Sequence, residues 1–247
     1  MPRTLTTGSE RFVSAVALYG PKAEPLHSRL ADVQALIAEQ LADRDRDAFR
    51  PYSLDQIHAT LIAFNALPGT SVNQYYLEHT GQSREMDVPR AMSILSDHFS
   101  RPLRIRVGGY RNDQPPPFRS RGLHPFQRTF SVQGDAFVLI GWPAIPGRPL
   151  DKLRRDMNTA NLLHRYHQHA GDIDDDCYLV VGHHRDAPPD ALETAVRTVR
   201  AKLAADPIDI EISHHDVKIV AADTHTMFPP IFAGDIPVDE ATIRALV

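Results

Sequence analysis

Residues 11–19 (RFVSAVALY) are rich in β-forming side chains and stop at Gly20-Pro21, which predicts a buried strand. Leu26, Leu30, Val33, Ile37 and Leu41 then recur at helical spacing, predicting an amphipathic helix over about 25–43. A charged, loop-like stretch, 43–49, leads to a second strand at 56–64 (QIHATLIAF). Its alternation puts Ile57, Ala59, Leu61 and Ala63 on one face, with His58 and Thr60 on the other.

Residues 65–86 read as a polar connection, and a helix is predicted over about 87–99. Leu103, Ile105 and Val107 alternate with Arg104 and Arg106, giving a half-exposed strand with a cationic face. The segment 111–127, with Pro115-Pro116-Pro117 and several arginines, reads as a surface loop. A strand pair follows across about 128–142, turning at Gly134-Asp135.

The second half repeats this grammar. It predicts a helix over about 149–168, a strand over 175–182, and a helix over 189–204 with Leu192, Val196, Val199 and Leu203 on one stripe. Ile208, Ile210 and Ile212 then alternate with Asp209 and Glu211, and His214-His215-Asp216 turns the chain into Val217–Ala221. The Pro-rich segment after Thr224 is expected to wrap the surface. The order of elements predicts an α+β, two-lobed pseudo-symmetric fold, each lobe an antiparallel sheet backed by helices, with a central cleft. Residues 1–247 are read as a single bilobal domain, with 1–10 a polar N-terminal tail and 224–247 a C-terminal extension.

Composition narrows the function classes. Apolar residues make up 42% and charged residues 23%, and no apolar run reaches the roughly 20 residues needed to span a bilayer. A formal net charge of −4 argues against a surface that coats long nucleic acid, which needs a cationic balance. A local cluster could still hold a nucleotide or a short RNA end. The single cysteine, Cys177, permits no internal disulfide and is expected to pack in the core. Together with a polar start lacking a signal-peptide stretch, these features lead to the expectation of a soluble cytoplasmic protein.

The chemistry concentrates on His58-Ala59-Thr60-Leu61. Residues two apart on a strand share a face about 6.6 Å apart. An imidazole can move a proton near neutral pH, and a threonine hydroxyl can hold a phosphate oxygen. With a strand and long helix before it, this His-x-Thr-Leu strand resembles the N-terminal half of the 2H phosphoesterase superfamily, which includes 2′–5′ RNA ligase-like proteins and 2′,3′-cyclic phosphodiesterases. The resemblance extends over most of residues 11–222. It implies metal-independent acid/base hydrolysis of a cyclic phosphate, a 2′–5′ linkage or a small cyclic nucleotide by two facing His-x-Thr pairs, with no cofactor.

The position of the second pair reads Tyr178-Leu179-Val180-Val181-Gly182. Tyr178 stands where the resemblance implies histidine, and Val180 where it implies a hydroxyl. A phenol titrating near 10 is a poor base at pH 7, and valine cannot clamp phosphate. His183 or His184 could substitute only if a bulge or bend at Gly182 brought it near. Two expectations therefore stand side by side: an altered phosphodiesterase using His58, Thr60 and Tyr178, or a degenerate module that binds a nucleotide or RNA end without cleaving it.

Tyr19, Arg104, Arg106, Arg119, Arg121 and Arg128 are the candidate contacts to the anion, since guanidinium grips phosphate bidentately. His164 and His167 are expected on the last turn of their helix, where the dipole favours imidazolium. Asp172, Asp174, Asp175 and Asp176 are then expected in a solvated loop, and no metal is assigned to them or to His214-His215-Asp216.

Overall fold

The computed structural model describes residues 11–42, 48–167, 169 and 171–247; the expected tail at 1–10 and most of the charged stretch at 43–49 lie outside them. The fold is mixed α/β, with a ten-stranded antiparallel sheet and seven α-helices among the described residues. The strands are β1 (Phe12–Ala17), β2 (Phe49–Pro51), β3 (Ala59–Ala63), β4 (Leu103–Val107), β5 (Phe130–Gln133), β6 (Ala136–Pro143), β7 (Cys177–His184), β8 (Ile208–Ile212), β9 (Val217–Ala222) and β10 (Phe232–Asp235). Their order is β10-β9-β1-β3-β7-β6-β4-β8, with β2 paired to β7 and β5 to β6 beside that path.

The helices are α1 (Leu26–Leu41), α2 (Gln74–Thr80), α3 (Val88–His98), α4 (Pro125–Arg128), α5 (Pro149–Asp156), α6 (Pro189–Ala205) and α7 (Glu240–Leu246). The five apolar positions of the α1 stripe are all buried, and Leu30, Val33 and Ile37 are fully enclosed. α1, α3, α5, α6 and α7 all contribute to one large core with Ile57, Ala59, Leu61, Leu103, Ile105, Leu179 and Ile210. One face of the sheet is therefore sealed by helices. The side chains of alternate strand positions point the other way, and the candidate chemistry lies among them.

Four expectations need correction. The helix predicted over 149–168 stops at Asp156 and passes through a 3₁₀ turn, Met157–Ala160. Asn161 ends it in the left-handed conformation (φ 57°), its side-chain amide donating to Glu85 O at 2.7 Å. His164 and His167 thus lie beyond the helix. The connection at 65–86 contains α2, which Asn73 caps at its start and Gly81 closes at φ 69°. The segment after Thr224 does more than wrap the surface: β10 adds a strand to β9, and α7 buries Ile243 and Leu246. Finally, the strand predicted from residue 56 begins at Ala59. Leu54–Gln56 is a 3₁₀ turn capped by Ser53, and His58 sits in the extended backbone between them.

Candidate functional site

The centre of the sheet is a single pair, Ala59 opposite Leu179, that joins β3 to β7 antiparallel. Stepping one residue each way sets His58 opposite Val180 and Thr60 opposite Tyr178, all on the face away from the helices. Beyond that pair the strands diverge, and Arg154 of α5, only 2% exposed, fills the fork. It donates to Thr60 O (3.1 Å), Leu61 O (3.4 Å), Asp174 O (2.7 Å) and Asp176 O (3.0 Å).

His58 is half-buried, and its Nδ1 lies 2.7 Å from Gln56 O. That carbonyl can only accept, so Nδ1 carries the proton and the neutral ring presents Nε2 as a base. Burial lowers the imidazole below its ordinary value of 6.5; the Gln56 bond opposes this and the Lys22 charge adds to it. His58 is therefore neutral at pH 7. The Thr60 hydroxyl has no hydrogen-bond partner among the described residues and is half-exposed, which leaves it free to donate.

The exit of β1 supplies the neighbours of His58. Leu18 adopts φ 66°, an uncommon conformation for a branched side chain, and its N–H is held by Asp216 O at 2.8 Å. This bend brings the Tyr19 ring to 5.8 Å from the His58 ring, while the Tyr19 hydroxyl donates to Met227 O at 2.9 Å. Lys22 follows, its Nζ donating to Gly20 O at 2.6 Å, and burial brings the ammonium down to about 8. Lys22 was not among the residues singled out from sequence; Gly20-Pro21 just before it marked only a turn. Tyr19 and Lys22 line a cleft of about 720 Å³ together with Arg104, Glu211, His215 and Lys218.

The other half is different. Tyr178 donates to Gln133 Oε1 at 3.2 Å, and burial raises its phenol to about 12. Val180 and Tyr178 pack against Val138, Ile140 and Trp142, with Tyr110 and Phe118 completing an apolar cluster. The rings of Tyr110, Phe118 and Trp142 meet edge-on at centroid distances of 5.3–5.7 Å. This face of β6 and β7 is thus occupied by packing rather than by polar groups.

A bulge does occur at Gly182, but it turns His183, not His184, to that face. Val138 pairs with Val180, whereas Phe137 pairs with Gly182 and Ala136 with His183, so Val181 is the extra residue. His183 Nε2 lies 2.7 Å from the Tyr52 hydroxyl and Nδ1 lies 3.1 Å from Asp135 Oδ2, making a carboxylate–imidazole–phenol chain. Burial, then the Asp135 charge, raises the Tyr52 phenol to about 12. His183 is three residues along β7 from the position facing His58, about 10 Å at strand rise. His184 instead stands edge-on to Phe137 at 5.9 Å.

The candidate arginines are all committed or displaced. Arg104 and Arg106 share the carboxylate of Asp209 on the neighbouring strand. Arg121 pairs with Asp174 at 3.2 Å and stacks on Tyr166 at 3.8 Å, and the buried Arg128 pairs with Asp176. Arg119 is exposed and donates to Gly122 O. The expectation of a solvated Asp loop is corrected here. Asp174 and Asp176 are each 3% exposed, because Arg154, Arg121, Arg128, Ser120 and Trp142 satisfy them internally. His164 and His167 are also buried, beside Asp174 and Asp151 respectively. Burial, reinforced by Arg154, holds His164 well below the ordinary range, so it is neutral. Cys177 is buried in the core and its thiol rises to about 12, as its packing role predicts. Among the described residues no cluster of three His, Cys, Asp or Glu side chains can hold a metal ion.

No protein-family model matches the chain, and no curated protein matches it. Among solved structures it is similar to the crystal structure of TT0787 of Thermus thermophilus, at 12% identity and a TM-score of 0.40, over 85% of this chain and 86% of that one. No helix among the described residues is long and apolar enough to cross a membrane.

Proposed function

We propose that this chain is a two-lobed, 2H phosphoesterase-like module that binds the phosphate of a small nucleotide or an RNA end at His58, Thr60 and Lys22, and does not cleave it by two-histidine chemistry. The observation that carries this reading is the Ala59–Leu179 pair, which leaves Val180 and Tyr178 opposite His58 and Thr60. A neutral imidazole, a free hydroxyl and an ammonium can together grip a phosphate. Two-histidine hydrolysis also needs a second proton-transfer group facing the first; valine moves no proton, and the Tyr178 phenol, raised to about 12 and donating its proton to Gln133, is no base at pH 7. The two-lobed reading is supported by the four strands of the path on each side of that single pair. An unpaired, buried Cys177 is in keeping with a cytoplasmic setting.

A second reading, an altered phosphodiesterase, is favoured by the bulge that turns His183 to the same face, backed by Tyr52 and Asp135. Calorimetry with 2′,3′-cyclic and 3′-phosphorylated nucleotides tests the first. Saturable binding that weakens about tenfold or more in Thr60→Ala and Lys22→Gln is expected. Absence of binding in a folded parent protein would refute it.

A further inference from the structure

Two cavities that share no residue with the Tyr19–Lys22 cleft, and include neither His58 nor Thr60, adjoin one another. The first, of about 260 Å³, is lined by Phe118, Pro143, Ile145 and Ile173, with Trp142 and Asp175 also in its wall. The second, of about 720 Å³, carries Arg121, Tyr166 and His169. Arg119, Arg148 and Ile173 line both and so mark their junction.

Three features of this pair point to a ligand. First, Arg119 and Arg148 are exposed and have no carboxylate partner among the described residues, whereas neighbouring Arg121 and Arg128 are paired. Second, Ile145 and Ile173 leave 50% and 44% of their surface in water, an apolar rim that a flat ring would cover. Third, Asp175 commits Oδ1 to the N–H groups of Leu150 and Asp151, while Oδ2 has no partner among the described residues. A carboxylate oxygen beside an apolar slot calls for a ring that offers an N–H. Inorganic phosphate would answer only the arginines, and a hydrocarbon only the isoleucines.

We propose that these cavities form a second ligand site that takes a nucleoside monophosphate, its base in the apolar slot and its phosphate on Arg119 and Arg148. Guanidinium pairs suit phosphate geometry, and the larger volume falls within the range of ordinary small-molecule pockets, roughly 300–1,000 Å³, with the smaller just below it. The site uses none of the His58 machinery, so it stands or falls independently of the function proposed above.

The chain contains one tryptophan, Trp142, and it lines the slot, so its fluorescence reports on this site directly, while the His58→Ala arm reveals any signal relayed from the other site through Tyr178 and Val180. The purified full chain is titrated with purine and pyrimidine 5′-monophosphates, and separately with the free nucleosides, inorganic phosphate and benzoate. A saturable change with at least one monophosphate is expected, about tenfold tighter than with its nucleoside or with phosphate. Arg119→Gln/Arg148→Gln should weaken it about tenfold or more with an unchanged melting midpoint, and His58→Ala should leave it as in the parent. The proposal is overturned by any of four results: no saturable change up to millimolar nucleotide, benzoate binding as tightly, a folded double arginine variant that binds like the parent, or loss of the signal in His58→Ala.

Discussion

Arg154→Met removes every donor that holds the fork between β3 and β7 while keeping most of the side-chain volume. In the parent the guanidinium meets four backbone carbonyls and lies 3.4 Å from Asp174 Oδ2, at 2% exposure. Breaking a buried ion pair by deleting one partner costs about 3–5 kcal/mol, because the other partner stays desolvated. Arg121 still faces Asp174 at 3.2 Å, which moves the expected loss to the lower half of that range. For a chain of this size each kcal/mol lowers the melting midpoint by about 2–4 °C, so a fall of roughly 6–16 °C is expected. Scanning calorimetry with parallel urea unfolding measures it. Arg154→Lys should recover only a small part, since one ammonium cannot reach the carbonyls of β3 and those of the segment leading into β7 together. A Met variant melting within about 3 °C of the parent would refute the wedge.

Two further outcomes follow from local geometry and charge. Gly182 sits at φ 156°, and a Cβ there would lie 2.6 Å from Arg50 O and 2.7 Å from the Phe49 ring. Gly182→Ala is therefore expected to displace β2 and cost about 1–3 kcal/mol, read as a lower urea midpoint; an unchanged midpoint would contradict the bulge. Acid should also weaken the fold. His58, His98, His164 and His167 all titrate below the unfolded value of 6.5 in the native state, chiefly through burial. The unfolded chain thus binds more protons below pH 6.5, and the stability that neutral imidazoles confer above it is lost as pH falls through their lowered values. Asp175, raised to about 6, acts in the opposite direction but is a single group. Urea midpoints should drop between pH 7 and pH 5, and a flat profile would count against the buried histidines.

The elements that bury a regular stripe were legible in the sequence. The α1 stripe and the alternations in β4 and β8 each obey a period that only one secondary structure satisfies. β2 and β10 were missed because three or four residues carry too little pattern. The α7 helix did announce itself, with Asp239 capping Thr242 and apolar Ile243 and Leu246 behind it, but the prolines before it dominated the reading. Arg154, Asp174 and Asp176 were hidden for a different reason. A charged residue reads as solvated until its partner is known, and here the partners lie on other elements, up to 94 positions away in the case of Arg154 and Thr60. The choice between His183 and His184 turned on one extra residue, Val181, which reverses the parity that strand counting assumes. The placement of Tyr178 and Val180 opposite the His58 pair needed no such help, since it rests on β7 running straight from Cys177 to Val180.

The most direct test is a single-turnover assay with protein in excess over a 2′,3′-cyclic nucleotide at pH 7, run beside His58→Ala and His183→Ala. The cleft described here predicts bound, intact nucleotide in the parent and no hydrolysis above the buffer rate. Hydrolysis by the parent that disappears in His58→Ala would contradict it, and loss in His183→Ala as well would identify the Tyr52–His183–Asp135 chain as the missing acid.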